Sequence, residues 1–192
     1  MRQKLLSSIM FIGLSMIACK QTGRGNDTKK IEFNQGLADE LKAMAEIDQI
    51  AAYVPQRNYK QWTHGRWGKF KDSVFTTHKL RLEKIFKELG YPGYSLVGKE
   101  GSKNFWLMVQ HSDGDPDFQS KVLDKLKIEV DNRNADGRDF GLLTDRVKIN
   151  KGEKQIYGTQ LTYNSQGQAY PKPLLDSVNV DKPSSPESIY IG

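Results

Sequence analysis

The chain has 192 residues, with 29 lysines and arginines against 23 aspartates and glutamates, a formal net charge of +6 and one cysteine. One domain is the default at this length, and a hydrophobic share of 37% suffices for one modest core. A polytopic membrane protein, a disulfide scaffold and a long disordered tail are not expected, whereas many activities stay open.

Residues 1–4 carry Arg2 and Lys4, and residues 5–17 are apolar apart from Ser7, Ser8, Gly13 and Ser15. The apolar run is shorter than the about 20 residues that span a bilayer, so it reads as a signal peptide rather than a membrane helix. Ala18 then precedes Cys19, and Met16-Ile17-Ala18-Cys19 resembles the lipobox of bacterial lipoproteins. The resemblance implies a signal peptide over 1–18, cleavage before Cys19 and lipidation of Cys19. It also implies a membrane-anchored lipoprotein of the bacterial cell envelope, its domain facing the periplasm or the cell exterior. With Cys19 lipidated, no thiol remains for catalysis, metal binding or disulfides. Residues 19–33 are the lipidated cysteine and a small, polar, basic tether, and 34–192 are expected to form a single globular domain.

A first helix is expected over 34–53, with Leu37, Leu41, Met44 and Ala51 as its apolar stripe. Asp48 falls within that stripe, and Pro55 ends the helix. Residues 57–71 hold Arg57, Lys60, Arg66, Lys69 and Lys71 and no acid, interleaved with Tyr59, Trp62, Trp67 and Phe70. This segment reads as a loop whose aromatics pack down on the helices, or as a surface for anionic lipid headgroups or glycans. A second helix over 72–89 has the stripe Phe75, Leu82, Ile85, Phe86 and Leu89, with His78 on it. Gly90, Pro92 and Gly93 stop it.

The run 105–109, apolar on every side, predicts a central third helix over 101–111, with a buried strand as the competing reading. Asp115-Pro116 starts a fourth helix, with Phe118, Val122, Leu123 and Leu126 inward and Gln119 on the same face. Residues 131–139 read as a polar loop. Val147 and Ile149 alternate with Lys148 and Asn150 and predict a strand, a turn at 151–152, a second strand over 155–163 and a short third over 168–170. The expected fold is α+β: a mainly helical body of about four helices with a small C-terminal antiparallel hairpin or three-stranded sheet.

Asp48, His78 and Gln119 sit where core residues are expected, and Gln110 and His111 end the most buried helix. Buried polar groups need hydrogen-bond partners, so these side chains should meet one another, either as a network that fixes helix packing or as a binding site. The candidate ligand-binding set is Asp48, His78, Gln110, His111, Gln119, Arg146, Gln155, Tyr157 and Gln160. The candidate catalytic residues are His111, Asp145 and Arg146, with His111 suited to acid–base work by an ordinary pKa near 6.5. No GxSxG elbow is present. The three histidines lack zinc spacing, and the acidic stretches near 113 and 132 miss the calcium-loop glycine or the final glutamate. No metal, no cofactor and no nucleic-acid partner are expected.

The segments LMVQHSDGDPDFQ (107–119), LTDRV (143–147) and QIYGTQ (155–160) resemble a bacterial family of domains of unknown function in which these motifs recur in this order. Asp48-Gln49 and Gly90-Tyr91-Pro92 look like its earlier motifs, and the resemblance spans roughly 38–180. The chain departs from the family at His78, where asparagine is usual, and at Asp181-Lys182-Pro183, where an arginine-rich stretch is expected. Two functions follow as expectations. One is a lipid-anchored binding module holding a small polar ligand or an envelope component. The other is a cofactor-independent enzyme with His111 as general acid or base.

Overall fold

A computed structural model describes residues 32–53, 55 and 57–173. The expected signal peptide, Cys19, most of the tether and the tail beyond 173 lie outside the described residues. Asn34 opens the first helix, its side chain accepting from the Leu37 N–H at 3.0 Å. The helix, α1, runs over Gln35–Ala52 and buries Leu37, Leu41, Ala45, Asp48 and Ala51 on one face, steps of four, four, three and three that fit a helical stripe.

The basic segment 57–71 departs from its expected loop. A 3₁₀ turn covers Arg57–Tyr59, and α2 begins at His64 and continues to Leu89. Thr63 supplies the N-cap, its side chain accepting from the Arg66 N–H. That cap satisfies a free N–H and outweighs two glycines in the first turns, which local propensity alone disfavours. Gly90 closes the helix at φ 73°. Leu89, expected inward, is exposed.

The third helix is longer than its sequence pattern suggested. α3 spans Tyr94–Gln110 with a kink at Gly98, where φ is 72° and ψ 174°. Only glycine takes that conformation without strain. Past the kink, Gly101 lets α1 approach: a Cβ there would stand 2.8 Å from Val97 Cβ and 3.6 Å from Ala38 Cα. α1 packs chiefly on α3.

α4 covers Pro116–Asp131, and the Asp115 side chain accepts from the Phe118 N–H at 3.0 Å. α5 covers Gly137–Asn150, so the strand expected at 147–150 is helical, as is the end of the expected loop. Asp136 caps it, and Leu143 and Val147, four apart, turn into the core. A two-residue alternation over four residues is too short to separate strand from helix once the preceding turn is capped and packed.

The sheet is smaller than expected. Of 155–163 only β1, Leu161–Tyr163, is a strand, and it pairs antiparallel with β2, Ala169–Pro171, in the register Thr162↔Tyr170. The described residues thus hold five α-helices and one two-stranded hairpin, the mainly helical α+β arrangement that the sequence predicts. Phe105, Leu41, Leu82, Met108, Leu126 and Leu143 are fully buried at its centre, each contributing roughly 1.5–3 kcal/mol.

Candidate functional site

The stripe of α1 carries Asp48 inward, where 1% of it is exposed. Two histidines approach it from other helices. His111, the C-cap of α3, places Nδ1 2.5 Å from Asp48 Oδ2. His78, on α2, places Nδ1 3.8 Å from Asp48 Oδ1, near enough for charge attraction but beyond hydrogen-bond reach. Gln49 Nε2 adds a long donation to Oδ2 at 3.4 Å. The Phe75 ring lies 5.7 Å from the His111 ring.

Burial pushes the Asp48 carboxyl up, but the hydrogen bond from His111 and the nearness of both histidines outweigh it and hold it below the usual carboxylate range. Asp48 is therefore an anion in a buried position. It fixes His111 through Nδ1, leaving Nε2 as the nitrogen free to act, and among the described residues none hydrogen-bonds Nε2. The side chain of His111 is 21% exposed, against 1% for Asp48. A buried carboxylate orienting a part-exposed imidazole is the arrangement that tunes a histidine for proton transfer or for donating to an anion. Three buried polar atoms near this level of the fold, Asp48 Oδ1, His78 Nδ1 and Gln110 Nε2, have no hydrogen-bond partner among the described residues. Such atoms are uncommon in folded proteins.

The remaining expected site residues fall into two other groups. Arg146 clamps Asp113 with two hydrogen bonds of 2.7 Å, and Asn150 donates to the same carboxylate at 2.9 Å. Gln119, wholly buried, donates to the carbonyls of Val109 and Gln110 and to Asp113, and accepts from Asn150. This group ties the end of α3 to α4 and α5. Burial raises the Asp113 carboxyl, and the hydrogen bond and charge of Arg146 more than reverse that. Arg146 is thus committed to Asp113, rather than to Asp48 or Asp145.

Asp145 lies fully buried on α5. Its carboxylate accepts from the backbone N–H groups of Ile156, Tyr157 and Thr159 and from the Thr159 hydroxyl. Gln155, also fully buried, donates to the carbonyls of Gln160 and Lys172 and accepts from the Gln160 N–H. The Gln160 side chain reaches the Leu142 carbonyl at 3.4 Å, and the Tyr157 ring lies over Gly141 of α5. The QIYGTQ segment is therefore wound around Asp145 as an irregular loop, not laid out as a strand. A carboxylate whose acceptor sites are filled by backbone donors positions a loop.

Sequence reasoning did not single out Asp113 or Asn150 as site members, because reading 147–150 as a strand separated Asn150 from the face of Arg146. On α5 the two are four residues apart and neighbours. Asp139 was also missed. It is 3% exposed and held by Lys103 Nζ at 2.6 Å, while Lys103 lies 3.8 Å over the Trp106 ring and Trp106 Nε1 donates to the Asp139 carbonyl. Burial pushes the Asp139 carboxyl up despite Lys103. Reading 131–139 as a polar loop hid it, since its place in the first turn of a capped helix emerges only in the fold.

Among the described residues no helix is long and apolar enough to cross a membrane, and no cluster of three or more His, Cys, Asp or Glu side chains could hold a metal ion. No curated protein and no solved structure matches the chain. A match over residues 35–184, which takes in the three motif segments and every candidate side chain described above, shows that the chain belongs to a family of unknown function, DUF6624.

Proposed function

We propose that this protein is a lipoprotein of the bacterial cell envelope, anchored through Cys19, whose folded domain binds a small polar ligand at the Asp48–His111 pair. The observation that carries the ligand reading is the orientation of His111: Asp48 holds Nδ1, and Nε2 has no hydrogen-bond partner among the described residues. With Nδ1 engaged by Asp48, Nε2 is the ring nitrogen turned to a ligand, where it can exchange a hydrogen bond with a polar group such as a carboxylate or phosphate. The basic start, short apolar run and small residue before Cys19 support the anchor. Arg146 and Asp145 are outside this reading, since their own partners occupy them.

A second reading draws on the same geometry. A carboxylate on Nδ1 with Nε2 open is the pairing of a general acid–base, and it would serve a cofactor-independent reaction at His111.

The test is a thermal-shift screen of the full chain in detergent micelles against small carboxylates and phosphates, with His111→Gln beside wild type. A ligand at about 100 times its Kd adds about 2.7 kcal/mol of stability, so a hit should raise the wild-type Tm by several degrees and leave the variant unmoved. Hits that stabilise both proteins equally refute His111 as the contact. Consumption of a hit by wild type but not by the variant selects the enzymatic reading. Intact-mass analysis of membrane-extracted protein tests the anchor: a mass matching unprocessed Cys19 refutes it.

A further inference from the structure

The segment between α1 and the body of α2 builds a second feature, independent of the histidine pair. Tyr59, Trp62, Trp67 and Phe70 pack ring against ring, with centroids 4.9–6.3 Å apart. The 3₁₀ turn and the start of α2 bring them together, and Trp67 is buried at their centre. Beside this cluster lies an open cleft of about 450 Å³ whose wall includes Tyr53, Pro55, Trp62, His64, Trp67 and Lys71. Tyr53 is 54% exposed. Trp62 is half-buried, so Tyr53 and Trp62 offer the cleft its accessible ring surface while Trp67 closes it from the core side.

The charge around the cleft is one-sided. Residues 57–71 contain no acid. Among the described residues, Lys60, Arg66, Lys69 and Lys71 make no ion pair, although lysines and arginines on α1, α3, α4 and α5 do. Arg66 lies 3.9 Å over the Trp62 ring, which holds its charge at the aromatic surface. Asp72 follows the segment but lines no part of the cleft. Flat aromatic walls favour a ligand with an apolar face, and unneutralised cations favour one with negative charge. A nucleic acid base would also stack, but the expected envelope location sets that partner aside.

We propose that this cleft binds an anionic saccharide, its ring stacked on Trp62 or Tyr53 and its carboxylate facing Lys71 in the cleft wall, with Arg66 beside the cleft over the Trp62 ring. The ring C–H face suits the indole, and the cations select a uronate over a neutral sugar.

The test is a tryptophan-fluorescence titration of the full chain in a polyoxyethylene detergent, which carries no sugar headgroup. The probes are tetragalacturonate, maltotetraose and hexaglutamate. The expected result is saturable quenching by tetragalacturonate alone, with Lys71→Glu and Trp62→Leu each weakening it about tenfold, equivalent to about 1.4 kcal/mol. Lys71→Glu changes a surface charge, and far-UV circular dichroism confirms the fold of both variants. Equal binding of maltotetraose overturns the charge argument, and equal binding of hexaglutamate overturns the sugar argument. Absence of saturable quenching by tetragalacturonate overturns the proposal, including the case in which micelles doped with phosphatidylglycerol give the signal instead. Wild-type affinity in both variants overturns it as well.

Discussion

Replacing His111 by alanine tests whether the buried pair is coupled as the geometry requires. Among the described residues, the substitution leaves a carboxylate that is 1% exposed with only the Gln49 amide at 3.4 Å and His78 at 3.8 Å. Removing one partner of a buried charged pair costs roughly 3–5 kcal/mol, and the remaining contacts place His111→Ala at the lower end. At about 2–4 °C per kcal/mol for a domain of this size, 3 kcal/mol lowers Tm by about 6–12 °C. Asp48→Asn keeps the shape, removes the charge and loses a charge-assisted hydrogen bond, about 1.5–3 kcal/mol. The double variant has no orphaned charge, so its loss should fall about 2 kcal/mol short of the sum of the single losses. The assay is urea and thermal unfolding of the full chain at pH 7, followed by circular dichroism. A coupling below about 0.5 kcal/mol would refute the pairing of Asp48 with His111. The pH dependence carries a second check. The Asp48 carboxyl is held below its ordinary value in the folded protein, so its stabilisation is present above the unfolded pKa, about 3.9. It is lost as pH falls through the lower folded value. Wild type should lose stability more steeply below about pH 4 than Asp48→Asn, and parallel profiles would contradict that sign.

Three further outcomes test the frame around the site. Asp145→Ala should cost about 3 kcal/mol or more, since the backbone N–H groups of Ile156, Tyr157 and Thr159 lose their acceptor at about 1 kcal/mol each. Amide exchange at those three residues should accelerate, and unchanged protection would contradict the anchoring role. Gly98→Ala puts a Cβ on a residue at φ 72° and should lower stability by about 1 kcal/mol or more, read by urea midpoint; a neutral result would contradict the kink. Phe105→Ala empties a fully buried position among Tyr91 and the α3 core and should cost about 3–5 kcal/mol, a loss that Tm reports directly.

Helix ends and the polar residues on apolar faces could be read before any fold was known, because both are local. Asn34 and Asp115 cap the helices that they were expected to start. Asp48 and Gln119 are buried because they fall on the apolar period of their helices, as expected. The errors arose where a local pattern was short. Residues 147–150 alternate like a strand, yet the Asp136 cap and the packing of Leu143 and Val147 keep them in α5. The aromatic and basic stretch 57–71 contains glycines that discourage a helix, yet the Thr63 cap and the mutual packing of its rings hold most of it in α2.

Which polar residues meet was beyond any reading of neighbours along the chain. Burial periodicity shows that Asp48 faces inward, but not that it faces His111, 63 residues away. Three packed helices make that choice, and the same packing assigns Arg146 to Asp113 and Asp145 to the loop at 156–159. One expected polar pocket thereby becomes three separate groups. Patterns with a period of a few residues record which side of an element is buried. Partners far apart in sequence are selected by the free energy of the whole core, which orients each buried charge toward the donors that can neutralise it.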